Sequence, residues 1–153
     1  MNRFFPRDEY FMRLALREAE LALEHDDVPV GAVVVHGGEV IGAAHNERER
    51  VGDPTAHAEI LAVREAARHL GSWRLAETVL YATLEPCPMC AGAIVLARVP
   101  RVVYGAADPK AGAAGSVLDL LARPELNHRP EVGGGLLAGE SASLLRAFFA
   151  ARR

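Results

Sequence analysis

The chain has a single lysine, few cysteines and no long apolar run, and each shortage excludes something. Lys110 is the one lysine among 17 basic residues. The two cysteines, Cys87 and Cys90, stand three positions apart. That excludes a disulfide framework and assigns both thiols to one local feature. No stretch approaches the roughly 18 apolar residues that cross a bilayer, so no membrane partner is expected. The opening Met1-Asn2-Arg3-Phe4-Phe5-Pro6-Arg7-Asp8-Glu9 lacks an apolar core and meets acids at once, so it does not read as a secretory leader. The expected compartment is the cytoplasm, where thiols stay reduced. Internal repeats, low-complexity tracts and linkers are missing too, so residues 1–153 read as one domain.

What is present suits a globular chain. Half of the 153 residues are hydrophobic and 24% are charged, enough apolar mass for one core and too much for disorder. The net charge of −3 is unevenly spread: residues 1–97 hold nine basic and fifteen acidic side chains, residues 98–153 eight and five. A basic C-terminal third can contact phosphate or simply solvate a surface.

Periodicity predicts the elements. Phe11, Leu14, Ala15, Ala19 and Ala22 recur at helical spacing over Arg7–His25. Val30–Val35 and Glu39–His45 are β-rich runs on either side of His36-Gly37-Gly38, which predicts a hairpin. A polar loop over Asn46–Thr55 is expected to lead, with Thr55 as N-cap, into a helix over Ala56–Leu70. A strand over Val79–Thr83, a helix over Pro88–Ala97 and a strand over Arg101–Gly105 follow. The Gly-rich stretch Ala106–Ser116 then leads to a short helix over Val117–Leu121, a weak strand near Val132 and a last helix over Glu140–Ala151. Two strands followed by alternating helices and strands imply a three-layer α/β/α sandwich around a mixed sheet.

The chemistry is concentrated in His57-Ala58-Glu59 and Pro86-Cys87-Pro88-Met89-Cys90. Cys-x-x-Cys puts two soft sulfurs on one side of a helical turn, a chelate for zinc, and His57 supplies a nitrogen ligand. With no third cysteine, a Cys₂His set leaves the fourth position to water, as in catalytic zinc. His57 and Glu59, two apart, project about 200° from each other on a helix. They reach one point only if it lies beyond the helix's N-terminal end. Pro86 and Pro88 put the cysteines at a helix start as well. Two positive helix ends would thus converge on one metal and stabilise thiolates. The competing readings are a thiol redox pair, which leaves His57-x-Glu59 unexplained, and a structural zinc with His45, His69 or Asp53 as fourth ligand.

His-x-Glu followed by Pro-Cys-x-x-Cys resembles the signature of the zinc-dependent nucleobase deaminases, whose fold is cytidine deaminase-like. Within them the chain is similar, over nearly its full length, to the bacterial tRNA-specific adenosine deaminases. The likeness runs through Val28–Val33, Asp53–Glu59, Leu84–Cys87, Asp108–Ser116 and Leu126–Arg129. It implies hydrolysis of adenosine to inosine at the wobble position of a tRNA anticodon, an arginine tRNA being the expected substrate. One zinc per subunit, held by His57, Cys87 and Cys90, would activate water, with Glu59 taking its proton and passing protons to N1 and the departing amine. The resemblance further implies that Asn46 hydrogen-bonds the base, that Val30, Leu84 and the backbone of Ala58 wall its pocket, and that Asp108, Lys110, Asn127, Phe148 and Arg152 meet RNA. It also implies a homodimer. Pro-Cys-Pro-Met-Cys is shared with guanine deaminases, so deamination of free guanine or cytosine is the alternative, and an RNA-binding module stabilised by zinc is a more distant one. Phe148-Phe149 is expected to supply one packed ring, and the closing Arg152-Arg153 phosphate contacts.

Overall fold

A computed structural model describes residues 4–152; the opening Met1-Asn2-Arg3 and the RNA-contact candidate Arg153 lie outside the described residues. The chain runs α1 (Pro6–Ala22), β1 (Gly31–His36), β2 (Glu39–His45), α2 (Arg48–Val51), α3 (Ala58–Leu70), β3 (Thr78–Leu84), α4 (Pro88–Ala97), β4 (Arg101–Ala106), β5 (Glu131–Gly134) and α5 (Ala138–Ala150). Gly37 and Gly38 both take positive φ, 59° and 81°, which lets the β1–β2 hairpin turn in two residues.

The five strands form one mixed sheet in the order β2-β1-β3-β4-β5. β1 is antiparallel to β2 and β3, while β3, β4 and β5 are parallel. The register aligns Val34, Leu80, Val102 and Val132 across four strands, all facing the core beneath α3 and α4. The alternate row, Val33, Tyr81 and Val103, faces Phe11, Met12 and Ala15 of α1. A slip of one residue would exchange the two rows, so burial on both faces fixes the register. Arg13 of α1 pairs with Glu140 of α5 at 3.1 Å, closing the third layer of the expected α/β/α sandwich. Helix and sheet touch closely where side chains vanish: a Cβ at Gly31 would overlap the Ala15 carbonyl oxygen, and one at Gly42 that of Ala62.

α1 is anchored by a buried acid. Asp8 accepts hydrogen bonds from the Phe5 N–H at 2.7 Å, the Tyr81 hydroxyl at 2.6 Å and both Arg101 Nη atoms at 2.8 Å. Burial opposes its ionisation, but these donors outweigh burial and hold the carboxyl at about 2.

Three expectations are corrected. Asn46–Thr55 is not all loop: Arg48–Val51 is helical, stopped by Gly52 at φ 64°, and Asp27 fastens it by accepting from the Glu49 N–H at 2.8 Å. Thr55 is not the N-cap of α3; its N–H and hydroxyl both go to Asp53 at 2.8 Å, and His57 takes the cap position. In place of the short helix over Val117–Leu121, Ala114 bridges Asp119, and a 3₁₀ turn follows at Leu120–Ala122.

Candidate active site

The carboxyl ends of parallel strands open a crevice in α/β sheets, and here β3 delivers the chain there at Leu84. Because β1 is antiparallel to β3, Val30 before β1 and Asn46 after β2 arrive at the same edge. His57 is the N-cap of α3 and Cys87 the N-cap of α4, so the two helix starts do converge. His57 Nδ1 lies 3.6 Å from Cys87 Sγ and 3.5 Å from Cys90 Sγ. Tetrahedral zinc, at about 2.0–2.1 Å from nitrogen and about 2.3 Å from sulfur, separates those donors by roughly 3.5–3.6 Å. The three side chains therefore fit the ion, and among the described residues no fourth ligand joins their group.

Electrostatics prepares the donors. Hydrogen bonds from Cys90 and His57 outweigh burial and pull the Cys87 thiol down to about 4, while the bond to Cys87 raises His57. Cys90, bonded to Cys87 and buried, is pushed the other way. Glu59, on the first turn of α3 and 4% exposed, is lifted by burial to about 7, against its own backbone N–H and His57, which favour the charged form. A carboxyl poised near neutrality beside side chains that fit a metal can both take and give a proton.

These groups open on a cavity of about 800 Å³. Its walls include Val28, Val30 and Leu84, and its polar groups include Asn46, Arg48, Glu85 and Asp108. The sequence matches the MafB19-like deaminase family over residues 6–153. It is 51% identical to a tRNA-specific adenosine deaminase of Bacillus subtilis, over 94% of this chain and 89% of the relative. The chain belongs to the tRNA-specific adenosine deaminases. A solved structure from work on A-to-I editing by tRNA:A34 deaminases is 49% identical, covering 89% of this chain and 99% of its own, with a TM-score of 0.86. A guanine deaminase of Bacillus subtilis is also similar in structure, at 35% identity over 94% of this chain and 92% of its own, with a TM-score of 0.65.

The deaminase cavity gathers most of the residues singled out in the sequence. Val30, Asn46, His57, Glu59, Leu84, Cys87, Asp108 and Lys110 all line it, and Cys90 is buried behind. Ala58 is buried, and its N–H donates to Asn46 Oδ1 at 2.8 Å, so it has no backbone donor to offer a ligand. Asn127 is exposed and outside the lining. Around α5 the two phenylalanines and the arginines have different surroundings. Phe148 is 6% exposed and packs inward, whereas Phe149, 48% exposed, lines the cavity. Arg152 turns back: it donates to the Phe148 carbonyl at 3.1 Å, pairs with Asp26 and lies over the Phe148 ring. Arg146, not singled out in the sequence, lines the cavity instead.

Glu85 is the other residue sequence reasoning passed over. It is buried, and its carboxylate accepts from the N–H groups of Asp108 at 3.0 Å, Ala114 at 2.9 Å and Ser116 at 3.0 Å, and from the Ser116 hydroxyl. Burial raises its pKa, but these donors prevail and lower it. The Gly-rich loop is thus wrapped around one anion, and a Cβ at Gly112 would strike that carboxylate. Asp108 adds a local turn, accepting from the Lys110 and Ala111 N–H groups at 3.0 and 3.2 Å. The only available signal was an acid between a strand and the Pro-Cys motif.

Proposed function

We propose that this deaminase hydrolyses adenosine to inosine at the wobble position of a tRNA anticodon, consuming water and releasing ammonia. The observation that carries the reading is one cavity joining the His57–Cys87–Cys90 group and the buried Glu59 to a mouth edged by Lys110, Arg146 and Phe149. His57 Nδ1 and the two sulfurs would hold one zinc per subunit. Zinc, when bound, supplies a Lewis acid that lowers the pKa of water from about 15.7 toward neutrality.

Glu59 is assigned the proton movements. Its carboxylate takes a proton from the attacking water and delivers it to adenine N1, then takes the proton of the hydroxyl now on C6 and passes it to the departing amine, leaving the carbonyl of inosine. Asn46 has its Oδ1 committed to the Ala58 N–H, so its amide N–H₂ remains to donate to the base. Val30 and Leu84 wall the base. An anticodon loop presents unstacked bases, which suits a pocket that reads one base while cations hold the phosphates. Asp108 and Lys110 on the loop, with Arg146 and Phe149 on α5, are the proposed contacts to neighbouring nucleotides, and Asn127 is proposed to meet the stem. An arginine tRNA as substrate, a homodimer and a cytoplasmic setting complete the proposal. Among the described residues no helix is long and apolar enough to cross a membrane.

The likeness to a guanine deaminase favours one other reading, deamination of a free base. Purified protein incubated separately with an arginine tRNA transcript, adenosine, guanine and cytosine, with inosine and ammonia measured, decides between them. Inosine formed in the tRNA alone supports the proposal; ammonia released from guanine alone overturns it.

A further inference from the structure

A second cluster of metal-capable side chains lies outside the zinc group. His25 ends the 3₁₀ turn that follows α1, His45 is the last residue of β2, and Glu47 stands just before α2. One donor atom from each lies within 4.8 Å of the others, and all three residues are half-buried. The two imidazoles stack, with centroids 5.6 Å apart and planes at 17°. Glu47 also pairs with Arg50 through Oε1, which leaves Oε2 to a cation.

The decisive features belong to His45. Its Nδ1 lies 3.0 Å from Glu18 Oε1. A carboxylate only accepts, so a neutral His45 must place its single ring proton on Nδ1 and its lone pair on Nε2. Nε2 is buried and meets no hydrogen-bond partner among the described residues. A buried nitrogen lone pair, fixed in its tautomer by a carboxylate on the opposite ring atom, is the arrangement that metal-ligating histidines use. We infer that His25, His45 and Glu47 form a second divalent-metal site, separate from His57–Cys87–Cys90, with Glu18 orienting His45. Two imidazoles and one carboxylate suit borderline cations such as Zn²⁺, Co²⁺ or Ni²⁺ rather than Mg²⁺ or Ca²⁺, which take oxygen ligands. His45 and Glu47 flank Asn46 in the chain, so an ion here braces the segment that presents Asn46 to the cavity.

The test is a Co²⁺ titration of the full-length protein stripped of metal, read by absorption and by bound-metal analysis. Two equivalents are expected: one with thiolate-to-cobalt charge transfer, one without. His25→Gln and His45→Gln should each lose the second equivalent and keep the first, thiolate-bearing one. Glu18→Ala should weaken the second equivalent ~10–100-fold, the usual effect of removing a histidine's carboxylate partner. Melting temperatures of the metal-free variants check that each still folds, and His25→Gln, at the end of a helical turn, serves if His45→Gln does not. A single equivalent in the unaltered protein, a second appearing only at millimolar metal, or one retained by the folded histidine variants overturns the site.

Discussion

Glu59 reconciles two opposing demands within one side chain. The start of α3 favours a carboxylate, because unpaired N–H groups give that end positive character. Burial favours the neutral acid and prevails, setting the group at about 7. In its proposed role of proton carrier it does not touch the metal, so it can be altered without emptying the site. Glu59→Gln should keep its zinc and lose at least ~10²-fold in turnover. Cys87→Ser should lose the metal, as metal analysis of both proteins would show. Loss of zinc from Glu59→Gln, or near-normal turnover, would defeat the assignment. His57, Glu59, Cys87 and Cys90 were legible because each pair lies within one turn of a helix start, where local geometry alone decides where side chains point. Phe148 and Phe149 were not. Adjacent helical residues differ by about 100° in direction, and which of them faces inward depends on how α5 docks. Glu85 was equally hidden, because its partners come from a loop that only the folded sheet brings near.

At the scale of elements, the start of α3 is completed from elsewhere in the chain. The first N–H of α3 is taken by Asn46, twelve residues upstream, and that bond fixes both the helix and the residue lining the cavity. A local rule reads Thr55 as the cap and cannot see this long-range competitor, which explains that boundary error. Strands β1, β3 and β4 were read well because they are covered on both faces and carry the apolar runs Ala32–Val35, Val79–Ala82 and Val102–Tyr104. The Val117–Leu121 segment was misread because Glu85, from another element, captures the backbone N–H groups before it. On the α1 face of the sheet, Asp8 joins α1 to β3 and β4 through Tyr81 and Arg101. Its pKa falls from 3.8 to about 2 on folding, so the folded state binds fewer protons than the unfolded one in that window. The contribution is complete above about pH 4 and is lost as pH falls through about 2. It amounts to about 2 kcal/mol. Urea unfolding of the unaltered protein and Asp8→Asn should show a stability gap at pH 6 that narrows steadily below about pH 4. A gap that does not change with pH would mean that Asp8 acts through shape alone.

Over the whole molecule, the acidic first two-thirds and the basic last third meet at the cavity mouth. Lys110 and Arg146 come from the basic part and line that mouth, while Arg152 is committed to Asp26 and Phe148. Charge counted along the sequence cannot separate these roles, since all three are cations within one segment. Their response to salt can. A cation that neutralises a phosphate of a single-stranded loop releases a counterion, and each such contact steepens the log–log dependence of binding on salt by about 0.7. Arg146→Gln should therefore weaken binding of an anticodon stem-loop at low salt, flatten its salt slope by about that amount and leave the melting temperature nearly unchanged. Arg152→Gln should do the reverse. It gives up the bond to the Phe148 carbonyl, the pair with Asp26 and the cover over a buried ring, so the melting temperature drops while the salt slope holds. Titrations at several salt concentrations, paired with thermal unfolding of the same two variants, read both quantities. If Arg152→Gln flattened the slope and Arg146→Gln did not, the RNA would have to approach from the end of α5, and the cavity mouth would not be its docking surface.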